Sequence, residues 1–270
     1  MNTDSLQEQK VSAAFSQQSA VFDDIYDHNA ITLYMRNRGR AEAFNYLRPG
    51  DKILELNCGT GIDTVFFAKK GFKIVATDNA EGMVAQTTNK IMTADLDGRA
   101  SCLRCSFNDL SALGGEKFDY LFSNFSGLNC APDLGSVLNE ADSVLKPGGY
   151  FTFVVMPKIC PWELIMLLRG RTKLALRRLG KAPARAHIEG VLFDCYYYNP
   201  SYVTRHLKGR YTLCALTGLA SIVPPPSLDY FPVKYPRLLK TLMKWEDRIC
   251  SIFPFNRWCD QYVITMRKDE

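Results

Sequence analysis

The sequence predicts an α/β fold: a doubly wound, seven-stranded sheet with an N-terminal helical cap and a helical lid inserted after the fifth strand. Three observations carry this reading. Strand-like and helix-like segments alternate from residue 51 onward, a glycine-rich turn closes the first strand, and an acid closes the second. Strict alternation of this kind implies parallel strands joined by right-handed crossovers.

Residues 1–50 show no strand pattern. QQSAVFDDIYDHNAITLYMRNRGRAEAFNYL spaces its apolar residues as helices do and stops at the turn signal Arg48-Pro49-Gly50. KILELNC then reads as the first strand, GIDTVFFAKKG as a helix stopped at Gly71, KIVATDN as the second strand and AEGMVAQTTNKIM as the next helix. SCLRCSF and FDYLFSNF supply strands three and four. PDLGSVLNEADSVLKPGG is a helix with a glycine stop, and YFTFVVMP is strand five. After an interruption at 158–208, YTLCALTGLASIV, a helix around 236–252 and QYVITMRK complete seven strands. The chain divides accordingly into a cap (1–50), a ligand-binding core (51–157), an insertion (158–208) and a closing segment (209–270).

Composition narrows the function classes. Hydrophobic residues make up 47% and charged residues 23% of the 270, which suits a large packed core and not a disordered chain. No apolar run approaches the roughly 18 residues of a membrane span, and the polar opening MNTDSLQEQKVSAAF lacks the pattern of a signal peptide, so a cytoplasmic protein is expected. Nine cysteines are scattered, several in apolar runs, and reduced thiols are expected. Cys102 and Cys105 form a CxxC within a strand pattern, but no second pair at ligand spacing follows, and no metal is expected.

The chemistry-bearing signal is Glu55-Leu56-Asn57-Cys58-Gly59-Thr60-Gly61, where the first strand meets the first helix. Glycines let the backbone approach a ligand there, and the free amides of the helix start favour polar groups. A turn of this kind also occurs in proteins that bind nothing. Asp78 changes the balance: it ends the second strand 17 residues after Gly61, where an acid accepts hydrogen bonds from both hydroxyls of a ribose. An adenosine-bearing ligand is implied.

At these residues the sequence resembles the class I S-adenosylmethionine-dependent methyltransferases of the small-molecule type, built on a Rossmann-like sheet. ILELNCGTG and VATDNAEGMV match their first two motifs; FDYLFSNFSGLN and LKPGGYFTFVVM extend the likeness, which covers about residues 15–157. The resemblance implies S-adenosylmethionine as cofactor. It places Glu55 near the methionine amino group, Gly59 and Gly61 along the cofactor, Asp78 on the ribose, Asn79 and Met83 beside adenine, and Ser106 and Phe107 at the adenine edge. Asn57, in place of the family's first glycine, and Asn124 belong to the same expected set. Tyr26, in FDDIYDH, is expected near the cofactor or packing the cap helix. The nicotinamide fingerprint needs two glycines three and five residues before the last, a spacing absent here. A ligand cationic at sulfur needs no Arg or Lys clamp.

Proton removal from a hydroxyl acceptor would draw on His28, His187 or His206; His28 ranks first because the cap should fold over the site, although a surface or capping role suits any of them. Asn124, Ser126 or Asn129, after the fourth strand, would touch the acceptor or simply form a turn. Nucleic acid is not an expected partner, because Asn124-Phe125-Ser126-Gly127 stands where DNA amino-methyltransferases carry an Asp/Asn-Pro-Pro-aromatic motif.

Residues 158–185 hold eight Lys or Arg and one acid, Glu163. Within them PWELIMLLRGRTKLALRRLG reads as a helix over 162–181 that either rests on an anionic membrane, lids an apolar pocket, or is merely solvated. Tyr196, Tyr197 and Tyr198 line a pocket or build a strand. The resulting expectation is methylation, preferably on oxygen, of a small lipophilic or aromatic acceptor. The alternatives are another S-adenosylmethionine reaction such as lipid cyclopropanation, or a non-catalytic cofactor-binding protein.

Overall fold

A computed structural model describes residues 3–26, 29–180 and 182–270. Its strands are β1 (Lys52–Glu55), β2 (Lys73–Asp78), β3 (Ala100–Arg104), β4 (Phe118–Ser123), β5 (Leu145–Val155), β6 (Ala184–Ile188), β7 (Val191–Cys195), β8 (Tyr211–Leu219) and β9 (Gln261–Lys268). Its α-helices are α1 (Thr3–Gln18), α2 (Phe22–Tyr26), α3 (Ala30–Phe44), α4 (Ile62–Lys69), α5 (Glu81–Thr93), α6 (Leu134–Val144), α7 (Pro161–Leu164), α8 (Thr172–Leu176), α9 (Pro200–His206), α10 (Tyr230–Lys234) and α11 (Pro236–Ile249).

Seven strands form one sheet in the order β3-β2-β1-β4-β5-β9-β8. The first five run parallel, as the alternation implies, and β9 enters antiparallel between β5 and β8. Inner strands of such a sheet are covered on both faces and read as unbroken apolar runs. Ile53 and Leu54 of β1 are both fully buried, yet point to opposite layers: Ile53 packs with Phe67, Tyr120 and Phe122, and Leu54 with Leu121, Val137 and Phe153. The strand order reverses between β1 and β4, which opens a crevice at their carboxyl ends.

The insertion departs from the expected single helix over 162–181. It holds α7, a 3₁₀ turn at Ile165–Arg169, and α8. Gly170 stops the turn in the left-handed region at φ 69°, and Arg178 is drawn into the protein, 3% exposed. A helix with a continuous basic back would keep that guanidinium in water. The insertion continues into an antiparallel hairpin, β6–β7, closed by Glu189 and Gly190, both at positive φ. Two such residues between paired strands make the tight turn that matches strand twist.

Candidate active site

A cavity opens at the crevice, with an unfilled volume, mouth included, of about 1010 Å³. Glu55, Asn57, Gly59, Asp78, Asn79, Met83, Ser106, Phe107 and Asn124 all line it. The expected cofactor residues are thus gathered from β1, β2, β3 and β4 into one wall. Gly61 is not part of that wall. It starts α4 at φ 79°, and a Cβ there would meet Thr87 of α5 at 2.7 Å, so glycine is required for helix packing.

The glycine loop and the acid act on each other. Gly59 N–H donates to Asp78 Oδ2 at 3.0 Å and Ala80 N–H donates to Oδ1 at 2.9 Å. Each carboxylate oxygen therefore has one fixed donor and keeps capacity for a second. Burial in the cavity wall outweighs these bonds and pushes the Asp78 pKa up to about 6. The Glu55 carboxyl accepts from Thr64 Oγ1 at 2.5 Å, and burial, together with the nearby Asp63 charge, pushes its pKa well above the usual carboxylate range.

Asn57 answers the missing glycine. Its backbone takes φ 47°, which Asn tolerates better than other side chains. Its Oδ1 accepts from Ser123 Oγ at 2.6 Å and its Nδ2 donates to the Asn124 carbonyl at 3.1 Å. A Cβ on Gly127 would lie 2.7 Å from the same amide. The side chain thus braces the β1 and β4 loops against each other while lining the cavity.

The cap closes over this wall. Asp23 of α2 accepts from Thr60 Oγ1 of the glycine loop at 2.5 Å and pairs with Lys90 of α5. In α1, Ser12 Oγ donates to the Asn79 carbonyl at 3.0 Å, and Gln7 exchanges hydrogen bonds with the Asp194 backbone of β7 at 2.6 and 3.1 Å. Of the expected cap residues, His28 lies outside the described residues, as does the side chain of Tyr26, whose backbone ends α2.

The sequence reasoning missed Arg36 and Asp63. Arg36 of α3 is 6% exposed and lines the cavity, with its guanidinium 4.4 Å from the Phe125 ring centroid. Its Nη1 donates to Asp63 Oδ2 at 3.0 Å, Arg40 Nε donates to Oδ1 at 2.5 Å, and Asn124 Nδ2 donates to Oδ2 at 3.2 Å. The Arg36 Nε is buried without a hydrogen-bond partner among the described residues. The sulfonium itself calls for no Arg or Lys clamp, yet one guanidinium lines the cavity, paired with Asp63. A signal was present: Thr32, Met35, Arg36, Gly39 and Ala43 share the buried stripe of α3, where an arginine is out of place unless it has a buried task.

Other expected groups lie elsewhere. Asn129 is fully buried and braces the backbone of Met156 and Tyr196, so its side chain is spent on structure. Ser126 is buried at φ 59° and is not among the cavity-lining residues. His187 is exposed on β6, and His206 sits beside Asn139 at 3.0 Å; neither lines the cavity. The three tyrosines do not line it either. The Tyr198 hydroxyl donates to the Ala131 and Pro132 carbonyls, and the Tyr197 ring lies 4.9 Å from the Arg178 guanidinium.

Arg178 itself clasps the insertion to the sheet. It donates to Glu163 Oε1 at 2.8 Å, to Asp260 Oδ1 at 2.6 Å and to the Asp260 carbonyl at 2.8 Å, and Arg177 adds two bonds to Glu163. Cys160, Glu163 and Asp260 cluster closely enough to suggest a metal site. The cation among them is the guanidinium.

The fold and this crevice define a doubly wound α/β protein with a candidate ligand site at its switch point. Residues 53–149 match the family model described as a methyltransferase domain. The demethylmenaquinone methyltransferase of Corynebacterium efficiens is 30% identical over 142 residues, 50% of this chain and 57% of that protein. The enzyme of the same name from Listeria welshimeri is 26% identical over 167 residues, 58% and 68% of the two chains. The chain thus aligns with little more than half to two thirds of the length of these relatives. Among solved structures, the cyclase SpnF superposes with a TM-score of 0.65 at 14% identity over 97% of both chains. The 1,6-didemethyltoxoflavin-N1-methyltransferase of Burkholderia thailandensis, bound to its substrate and S-adenosylhomocysteine, gives 0.60 at 15% identity over 100% and 92%. Residues 53–149 thus match a methyltransferase domain, and the fold around them is one shared with an S-adenosylhomocysteine-bound methyltransferase.

Proposed function

We propose that the protein transfers the methyl group of S-adenosylmethionine to a small lipophilic or aromatic acceptor, with a hydroxyl oxygen as the preferred atom. One observation carries this reading: Glu55, Gly59, Asp78 and Arg36 converge on a single cavity. Its lining carries the carboxylates of Glu8, Glu55, Asp63 and Asp78 against one guanidinium, a balance that suits a ligand bearing a sulfonium, an ammonium and one carboxylate. Arg36 Nε, buried and unpartnered among the described residues, matches that carboxylate. The spare lone pairs of Asp78 accept the ribose hydroxyls, Glu55 holds the ammonium, and Asn79, Met83, Ser106 and Phe107 enclose adenine.

The sulfonium supplies an activated methyl group, so the chain's contribution is chiefly alignment and exclusion of water, effects that reach about 7–11 kcal/mol in well-oriented reactions. Asn124, buried against the cavity, orients the acceptor with what its amide has left after Asp63 and the Phe125 N–H. Neither His187 nor His206 lines the cavity, which leaves His28 as the histidine for proton removal from an acidic hydroxyl. The insertion at 158–208 contributes no lining residue among its described residues and serves the acceptor side through β7, whose Asp194 backbone holds Gln7 of α1, with the cap at 1–50, the cofactor core at 51–157 and the closing segment at 209–270 as the other working parts. Leu167, Leu168, Arg169 and Arg171 are exposed in the 162–181 stretch and support peripheral contact with a membrane there. No described helix is long and apolar enough to cross a membrane.

The names of the curated relatives favour a quinone-like ring among the lipophilic acceptors. The likeness to a cyclase shows that this fold hosts other chemistry. Incubation with S-adenosylmethionine and a panel of reduced naphthoquinones, phenols and unsaturated lipids, read by mass spectrometry, tests the reading. A product one methyl heavier on oxygen supports it. Methyl on ring carbon moves the preferred atom, ring-bearing acyl chains indicate cyclopropanation, and cofactor binding with no product across the panel indicates a binding protein.

A further inference from the structure

Helix α11 presents two unlike faces. Its inner face, Leu239, Leu242, Met243 and Glu246, packs on Ile31 and Met35 of α3 and Val263 of β9. The Glu246 carboxylate is fully buried and accepts the backbone N–H groups of Ser221, Ile222 and Val223. The other acid, Asp247, is held by Arg38 at 3.3 Å and by the Tyr34 hydroxyl at 2.8 Å. Glu246 is therefore turned away from the outer face, and Asp247 is paired with Arg38.

What remains outside is cationic. Lys234 at the end of α10 and Arg237, Lys240, Lys244 and Arg248 of α11 are exposed, and none forms an ion pair among the described residues. Leu238 and Trp245, seven residues apart and so nearly in line along the helix, are 48% and 54% exposed; Val233 is 85% exposed. Arg248 lies 5.5 Å from the Trp245 ring centroid. Basic residues around exposed leucine and tryptophan on a 14-residue helix are the combination that settles in a lipid headgroup layer.

We propose that the outer face of α11 docks the protein on an anionic lipid bilayer, with Leu238 and Trp245 entering the headgroup region and the four basic residues of the helix meeting lipid phosphates. The charge decides the partner. A second copy of this chain would bring five unpaired cations against five, whereas an anionic surface neutralises them. The inference does not depend on the acceptor or on turnover, and it concerns a different surface from the 162–181 stretch.

The test is sedimentation with vesicles of phosphatidylcholine alone and of phosphatidylcholine with phosphatidylglycerol, at low and high salt. The native protein should partition onto the anionic vesicles, with a blue-shifted tryptophan emission. The triple variant Lys240→Gln/Lys244→Gln/Arg248→Gln should partition about a hundredfold more weakly, and Trp245→Ser should lose the emission shift. Both variants should keep native cofactor affinity and melting temperature. Absence of native binding overturns the proposal. So does binding that survives the triple variant but is lost in Arg169→Gln/Arg171→Gln, since contact then runs through the insertion. Dimerisation abolished by Trp245→Ser, or capture of single-stranded oligonucleotide in preference to vesicles, overturns it as well.

Discussion

The backbone N–H of Gly59 donates to the Asp78 carboxylate at 3.0 Å, so the glycine turn after β1 and the acid ending β2 are one device. The bond fixes the carboxylate at the cavity wall while the loop holds Gly59 at φ 58°. A position that needs this conformation and this approach suits glycine.

Cofactor affinity should fall at acid pH. In the free protein the Asp78 pKa is raised from 3.8 to about 6, so the folded state holds a proton that the unfolded chain has released between those values. This group therefore makes folding less favourable as pH rises from about 4 to 6, and ribose hydroxyls, which donate to the ionised form, act against that penalty. Calorimetry should show affinity falling up to about tenfold per unit below pH 6 and proton release on binding near that pH. Affinity flat from pH 7.5 to 5 would remove Asp78 from the contact.

Asn57→Ala should destabilise more than Asn57→Gly. Both lose the bonds to Ser123 and Asn124, about 0.5–1.5 kcal/mol each. Alanine is also held at φ 47°, at a cost of about 1–2 kcal/mol that glycine avoids. Urea denaturation measures the difference; equal losses would show that backbone strain plays no part at this position.

Arg36→Ala should weaken S-adenosylmethionine binding by about 1.5–3 kcal/mol through loss of a charge-assisted contact. Arg40 still neutralises Asp63, so the protein should stay folded. Adenosine, which lacks the methionine carboxylate, serves as control: its affinity should be unchanged, and an equal loss for both ligands would mean that Arg36 acts only through the fold.

Arg178→Ala should lower stability by about 3–5 kcal/mol, because it strands Asp260 in the interior and leaves Glu163 with Arg177 alone. Arg169→Gln should leave the melting temperature within a degree or so, since that side chain is exposed. Similar effects from the two would contradict the clasp.

The contrast between Arg178 and Arg169 also marks where the sequence stops being legible. Parallel strands are buried on both faces, so ILEL, IVAT and YLFS announce themselves as apolar runs, and the turn chemistry of Gly59 and Asp78 is local. The partners of Arg178 lie 15 and 82 residues away in the chain, and no periodicity within 162–181 encodes them. Arg36 reaches the cavity through α3 packing on the sheet and meets Asp63 27 residues on, and only its place in a buried stripe hinted at it. The β6–β7 hairpin stayed hidden because its strands are half exposed and its turn, Glu189-Gly190, lacks the Asn or Asp that usually signals one.

Titration of S-adenosylmethionine into the native protein and into Asp78→Ala by calorimetry tests the central claim most directly, with circular dichroism confirming that both are folded. The native protein should bind at one site, and Asp78→Ala should lose two charge-assisted hydrogen bonds at about 1.5–3 kcal/mol each, and with them measurable binding. Equal affinity in the two folded proteins, or no binding by the native one, would contradict the assignment of this crevice as the cofactor site.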